Sequence, residues 1–355
     1  MRRVAIAGTA VVGSPLDQVG VPPRARKMMA PAAVLATAAV DQLLRELRWD
    51  DCEAIGCYLG VGASGGAIED FIALLRESLA DGSFSTARFG TRGLAACNPL
   101  LAFQLMNNFT MCHAAIYAGL GGPNGALFSR GAGTVIALAE AVHAVASGDC
   151  DRAIAGGADA PTHPATLAEL AREGHTHAVR DAAAVIGLEV ATPGAVIVER
   201  CRVAAGRGRR MMTAIDQARG RGHDPVSHGR GLASAIDAAV GRRDAGIAGA
   251  IDATAAGRGG GTVPAPDAAA ADIGRIDLAV IAPFGPAADD ALRSWLAAQA
   301  PSARIVACPD DSLAAAMAIA VVTAAQRLAS GERALVLGLG FDGDPSAVVL
   351  AKEAA

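Results

Sequence analysis

The segment from Gly122 to Gly157, GPNGALFSRGAGTVIALAEAVHAVASGDCDRAIAGG, constrains the fold more than any other part of the chain. Ala126-Leu127-Phe128 is a short apolar run of the kind a buried strand uses. Arg130-Gly131-Ala132-Gly133 is a small-residue turn, open to backbone angles that larger residues avoid. From Thr134 onward Val135, Ile136, Leu138, Ala139, Val142 and Val145 recur at helical spacing, and Ser147-Gly148 ends the run. A second strand is expected over Arg152 to Ala155. A strand-turn-helix of this type aims its first helical N–H groups at whatever occupies the turn, which favours an anion or a developing oxyanion.

With 355 residues the chain can bury a sizeable core in one large or two average domains. Hydrophobic residues make up 52% but aromatics only 3%, so the excess is alanine and small aliphatics, suited to helices packed closely on parallel strands. No uninterrupted apolar run reaches the length of a membrane span. The start, MRRVAIAGTAVVG, has basic residues before a short, Gly-broken apolar run and reads as a first strand and turn rather than a signal peptide. A net charge of −4 and a pI near 6.0 argue against a nucleic-acid binder. Seven cysteines, without a C-x-x-C pair, read as reduced, buried thiols of a cytoplasmic protein rather than a disulfide framework.

Val4 to Gly8 reads as a buried strand, Pro31 to Leu47 as a helix, and Ile55 to Val61 as a second strand ending in Gly62-Ala63-Ser64-Gly65-Gly66. Helices are expected over Asp70 to Leu79 and, after Asn98-Pro99, through Leu101, Phe103, Leu105 and Met106. Val185 to Glu189 and Ala195 to Glu199 fit strands, the second closing the first half of the fold. Gly206 to Gly261 is rich in Gly, Arg, Ala and Asp with a helical patch at Leu232 to Val240, and Gly257 to Asp272 reads as an exposed low-complexity loop. Regular structure returns with a strand at Leu278 to Ala282, helices at Ala288 to Ala298 and Leu313 to Leu328, and hairpin-like strands Ala334 to Leu337 and Ala347 to Leu350. Alternating strands and helices make the chain α/β.

Gly122-Pro123, Gly148-Asp149, Asp151 and Ala155-Gly156-Gly157 fall without a gap into the register of the nucleophile segment of β-ketoacyl synthases, which this segment resembles. The resemblance runs from end to end. Arg3 to Gly8 is similar to the family's first strand and Gly turn, and Arg26-Lys27-Met28 precedes the first helix as a basic-plus-Met element does there. Asn98-Pro99-Leu100, Asn108, His113 and Gly119-Leu120-Gly121-Gly122-Pro123-Asn124 keep the family's order. Gly340-Phe341-Asp342-Gly343 with Ala347 to Leu350 resembles its Phe-Gly loop and last strand. The resemblance implies a thiolase-like, five-layer αβαβα fold of two similar halves, residues 1–200 and a shortened, divergent 201–355. It also implies dimerisation through the strand before the turn.

The departures fall on the chemistry. The family's catalytic Cys position is Gly131 here. Its first catalytic His follows a strand that here ends Ala282-Pro283-Phe284-Gly285-Pro286. The second is replaced within Asp310-Asp311-Ser312-Leu313-Ala314, and an upstream Lys falls at Val306. Decarboxylative condensation needs a thiolate to hold the acyl chain and donors to stabilise the enolate. Pro283 and Phe284 have no side-chain donor, and Asp311 repels a malonyl carboxylate. In this the chain resembles a ketosynthase chain-length factor, the Cys-less partner of an active ketosynthase.

Other candidates keep two readings each. Ser129 is either a weak nucleophile or a strand-end hydroxyl, and Cys112-His113 is either a dyad or a buried thiol beside a scaffold histidine. By the resemblance Asn108, Phe109 and Met111 contribute to a neighbour's acyl tunnel or simply pack at the interface, and Phe341 gates the cavity or merely follows a Gly in a hairpin turn. His175-Thr176-His177, with His223 or His228, lacks a Cys or carboxylate at ligand spacing, so no metal and no cofactor is expected. Arg207, Arg209 and Arg210 form a docking patch for an acidic acyl carrier protein or a solvated turn. The leading expectation is a non-catalytic ketosynthase-like subunit, inactive alone, heterodimeric with an active ketosynthase in bacterial polyketide or specialised fatty-acid assembly, with no nucleic-acid or membrane partner. The rivals are an acyltransferase without a covalent intermediate and a homodimeric acyl-binding pseudoenzyme.

Overall fold

The structure, a computed structural model, describes residues 1–15, 21–63, 65–128, 132–172, 178–203, 275–283, 286–339 and 345–354. Ten strands form its main sheet: β1 Val4–Gly13, β2 Gly56–Val61, β3 Asn124–Leu127, β4 Arg152–Asp159, β5 Ala182–Val190, β6 Val196–Val203, β7 Leu278–Ile281, β8 Arg304–Ala307, β9 Arg333–Leu339 and β10 Pro345–Lys352. They lie in the order β8-β7-β9-β10-β6-β1-β5-β4-β2-β3. Read from each outer edge, both groups of five have the chain order third, second, fourth, fifth, first. The pairing repeats too: β3, β2 and β4 are mutually parallel, with β5 and β1 antiparallel beyond them. β8, β7 and β9 are parallel, with β10 and β6 antiparallel beyond. The two similar halves expected from the sequence are present as two copies of one topology.

The helices complete five layers. They are α1 Pro31–Leu47, α2 Ile68–Ser78, α3 Leu101–Leu105, α4 Phe109–Ala118, α5 Ala132–Ser147, α6 Pro164–Arg172, α7 Pro286–Gln299 and α8 Ala316–Arg327. α1 starts with Pro at its first position, where the missing N–H costs nothing, and ends on Arg48 in the left-handed region (φ 53°). It packs on β1, β5 and β4 and against α4. α5 touches strands of both halves, β2 and β4 on one side and β6 and β10 on the other, while α8 packs on β5, β7 and β9 and against α5. α7 lies against β7. The side-chain alternation of the strands follows from this layering. Ala183 and Val185 belong to the cluster under α1, and Ala184, Ile186 and Leu188 to the one around α5 and α8. Fully buried Leu35, Leu43, Leu138 and Leu278 anchor these layers, each contributing about 1.5–3 kcal/mol.

Several boundaries differ from the sequence reading. β1 does not turn at Gly8 but continues to Gly13 through a bulge between Ile6 and Gly8. Gly8 lets Leu47 of α1 pack closely on the bulge, since a Cβ would lie 2.8 Å from its terminal methyl. The Asn98 to Met106 run yields only the short α3, since Met106 turns extended (ψ 113°) before α4 begins. β6 does not close the first half. It pairs over seven residues with β10 and over two with β1, so it is the first strand of the second repeat. β8 and α6 were not anticipated from the sequence: β8 is a four-residue edge strand, and α6 is a nine-residue helix that follows a proline-broken loop.

Candidate functional site

The carboxyl ends of β2, β3 and β4 meet the first turn of α5. In an open α/β sheet this is where connections leave to opposite faces and a crevice opens. Small residues let the backbones converge. A Cβ at Gly133 would lie 2.5 Å from the Leu127 carbonyl, and one at Gly60 would strike the start of α5 at Thr134. A Cβ at Gly62 would fall inside the carboxylate of Asp159, the last residue of β4.

The second half enters this point through the 3-10 turn Leu313–Ala315, which precedes α8. Thr134 donates its hydroxyl to the carbonyl of Ala314. The Ala314 N–H donates to Asp159 Oδ2 at 3.2 Å, while Ala160 N–H donates to Oδ1 at 2.8 Å. Two further carboxylates lie close by. Asp181 accepts from the Thr162 N–H and hydroxyl at 2.9 and 2.7 Å, and Asp311 Oδ1 accepts from Leu313 N–H at 2.8 Å. All three acids are buried. Burial pushes the Asp159 carboxyl up to about 7, and Asp181 and Asp311 add to the rise against the pull of its two backbone donors. The turn is held in an uncommon geometry, with Leu313 at φ 44° and the Ser312 hydroxyl buried without a partner.

Chemically the point is rich in acceptors. Asp311 occupies the place where the resemblance expects an imidazole, and its Oδ1 accepts from its own turn. Its backbone is tied as well, N–H to the Ala178 carbonyl at 3.2 Å and carbonyl to the Arg180 N–H at 3.0 Å, while Asp310 pairs with Arg180 at 3.1 Å. Pro283, just past β7, is buried and offers no donor. Val306 lies half-buried on edge strand β8. The side chains of Pro283, Val306 and Asp311 supply no imidazole for an enolate.

The remaining candidates separate. Asn108 is exposed ahead of α4, and its carbonyl accepts from Met111 and Cys112 N–H at 3.1 and 3.0 Å. Phe109 is half-buried and packs edge-on against Phe103, with centroids 5.3 Å apart. Met111 turns inward onto the core under α1. His113 is buried between the Phe109 and Tyr117 rings, and burial lowers its basicity. The loop residues Ser129, Arg130, Gly131, Phe284 and Gly340-Phe341-Asp342-Gly343 lie outside the described residues, as do His175 to His177, Arg207, Arg209, Arg210, His223, His228, Leu232 to Val240 and Gly257 to Asp272. Sequence reasoning passed over Asp159, Asp181 and Thr134. The one signal for Asp159 was its place at the end of the apolar run Ala153 to Ala158, which does not by itself announce a buried acid.

Residues 17–184 match the model of the β-ketoacyl synthase N-terminal domain. Among solved structures, the ishigamide ketosynthase/chain length factor superposes with a TM-score of 0.66 at 19% identity over 99% of both chains. A chain of AntDE:AntF, a type II acyl-carrier protein in complex with its ketosynthase, gives 0.66 at 12% identity over 99% of this chain and 100% of that one. A β-ketoacyl synthase from Burkholderia phymatum gives 0.62 at 14% identity over 99% and 100%. With its duplicated topology and these matches, the chain has the fold of the β-ketoacyl synthases, and its first half is similar to their N-terminal domain.

Proposed function

We propose that this chain is a non-catalytic, chain-length-factor-type subunit that pairs with an active ketosynthase and lines the acyl tunnel in polyketide or specialised fatty-acid assembly. The observation that carries the reading is Asp311. A buried acid, bonded to its own turn and grouped with Asp159 and Asp181, stands where condensation needs an imidazole donor. Gly131 in place of the thiol and Pro283 in place of the other imidazole agree with it. We place the division between the two ketosynthase-like halves in the turn between β5 and β6, a few residues before the 200 expected from the sequence.

The partner reading is supported by the free edge of the sheet. β3 ends the strand order and pairs only with β2 among the described residues, which leaves one row of backbone groups open. Phe103, Leu105, Met106, Ile116, Tyr117 and Phe128, all from the segment that leads to and follows β3, are exposed. An apolar surface of this kind belongs to a partner. An acyl carrier protein would deliver substrate to the assembled pair. No helix among the described residues is long and apolar enough to cross a membrane. The seven unpaired cysteines suit a reduced, cytoplasmic setting.

Co-expression with an intact ketosynthase tests the reading. The pair should copurify as a heterodimer, and Leu127→Glu or Phe109→Glu should break it by burying an unpaired charge. A well-behaved monomer of the wild-type chain at micromolar concentration, indifferent to the ketosynthase, would overturn it.

A further inference from the structure

The turn before α8 is held in a conformation it would not keep by itself. Leu313 stands at φ 44°, a left-handed value that residues other than glycine rarely adopt, and the Ser312 hydroxyl beside it is buried with no hydrogen-bond partner. Moving out to water would relieve both costs. Polar contacts with the first half keep the turn in place. The Ala314 carbonyl accepts from Thr134, its N–H donates to Asp159 Oδ2 at 3.2 Å, and the Asp311 backbone is tied to Ala178 and Arg180. One residue earlier, the Leu313 N–H donates to Asp311 Oδ1 at 2.8 Å. Neighbouring amides of a single turn are thus bound by two different carboxyl groups, which brings Asp159 and Asp311 together. Asp181, held by Thr162, adds a third.

We propose that the stretch Asp311 to Ala315 is a proton-dependent latch over the candidate site, docked while Asp159 carries its proton and released when Asp159 ionises. The charges that act on Asp159 are those of Asp181 and Asp311. Nearby groups are committed elsewhere: Arg180 pairs with Asp310, and both ring nitrogens of His163 are engaged, with Gly66 and Ala165. α5 faces this point with Thr134 and the β2–α2 loop with Gly62. α8 carries no charge before Arg327, β5 none before Glu189, and Asp41, Arg45 and Glu46 of α1 are exposed. An ionised Asp159 therefore stands between two acids away from water, and release lets water solvate it. Its two backbone donors favour the ionised form, but burial outweighs them and holds the docked carboxyl protonated to about 7, against an ordinary 3.8. Docking is accordingly firm at low pH, weakens as pH rises from about 4 to about 7, and changes no further above.

Hydrogen exchange of the full-length protein tests the latch, read by mass spectrometry on fragments covering 311–317 and α1. The range is about pH 5 to about pH 8, with rates corrected for intrinsic exchange. The turn should exchange faster than α1 and respond little to low urea, because its release exposes little surface. Its protection should be about tenfold or more lower at the alkaline end. Asp159→Asn keeps an oxygen for the Ala314 N–H and cannot ionise, so it should remove that dependence. Asp181→Asn takes away one of the acids that raise Asp159 and should move the transition to lower pH, which decides the matter if Asp159→Asn does not fold. Thr134→Val should lower protection equally at every pH, because it loosens the grip without touching the proton. Protection of the turn that is flat with pH in the wild type, or that keeps its pH dependence in Asp159→Asn, would overturn the latch. So would a turn that matches α1 in rate and urea response, or a transition unmoved by Asp181→Asn.

Discussion

Asp159 and Ala314 meet across the two halves of the molecule: the Ala314 N–H donates to Asp159 Oδ2 at 3.2 Å, while Thr134 holds the same residue's carbonyl. One residue of the second repeat is thus gripped at both backbone groups by side chains of the first. The grip needs no charge, and a charge there is costly. Asp159 is buried beside two other acids, with no cation among the groups that shift it.

This arrangement makes stability depend on pH. The folded Asp159 holds its proton to about 7, whereas its ordinary value is 3.8. Between these limits the folded state binds more protons than the unfolded one, so stability falls as pH rises from about 4 to about 7 and is level above. The loss from this group is on the order of a few kcal/mol. Urea denaturation across that range should show the decline, and Asp159→Asn should flatten it even though it weakens one backbone contact. Parallel pH profiles for the two proteins would refute the assignment.

A second prediction contrasts two glycines. A Cβ on Gly156 would collide with the Ala184 carbonyl on the neighbouring strand β5, which cannot move without breaking the sheet. Gly156→Ala should cost about 1–3 kcal/mol or more. Gly90 has open space around its Cα and no positive φ, so Gly90→Ala should be neutral or stabilising by about 0.4–1 kcal/mol. Thermal melts of the two variants decide it, and similar melting temperatures would show that the β4–β5 packing is looser than described.

Much of this architecture was legible in the sequence, and the exceptions share a cause. α1 was read to the residue because Pro31 fixes its start and its apolar spacing is uninterrupted. α5 and the β9–β10 pair were equally plain. β6 was assigned to the wrong half because a strand's own residues do not say which neighbour it pairs with. The acid cluster was missed for a related reason: Asp159 and Asp181 become neighbours through the β4–β5 pairing, and Asp311 joins them only when the second half docks. The inward turn of Met111 likewise depends on where α1 lies.

The chain alone should not take up an acyl group from a carrier thioester. A thiol must ionise to attack, and the buried Cys57 is pushed up to about 12, while burial also raises Cys150 and Cys308. Intact-mass measurement after incubation with a reactive thioester should show unmodified protein. A stoichiometric adduct mapped to Ser129 or Cys112 would restore the acyltransferase alternative.

Gly131→Cys should not restore condensation either. Position 131 directly precedes α5 in sequence, and a thiol next to a helix start favours its thiolate, so acylation of the variant is expected. Decarboxylation is a separate demand. The enolate formed when malonate loses carbon dioxide needs donors in a water-poor site, and removing one such donor from an enzyme commonly costs about a hundredfold or more in rate. Here Pro283 supplies none, and the second half presents Asp311, buried with its carboxylate bonded to the Leu313 N–H. The variant should therefore accumulate as an acyl-enzyme without releasing carbon dioxide from a malonyl carrier. Intact mass and trapped radiolabelled carbon dioxide measure the two steps separately. Turnover from this single change would mean that donors other than those at Pro283 and Asp311 serve the enolate.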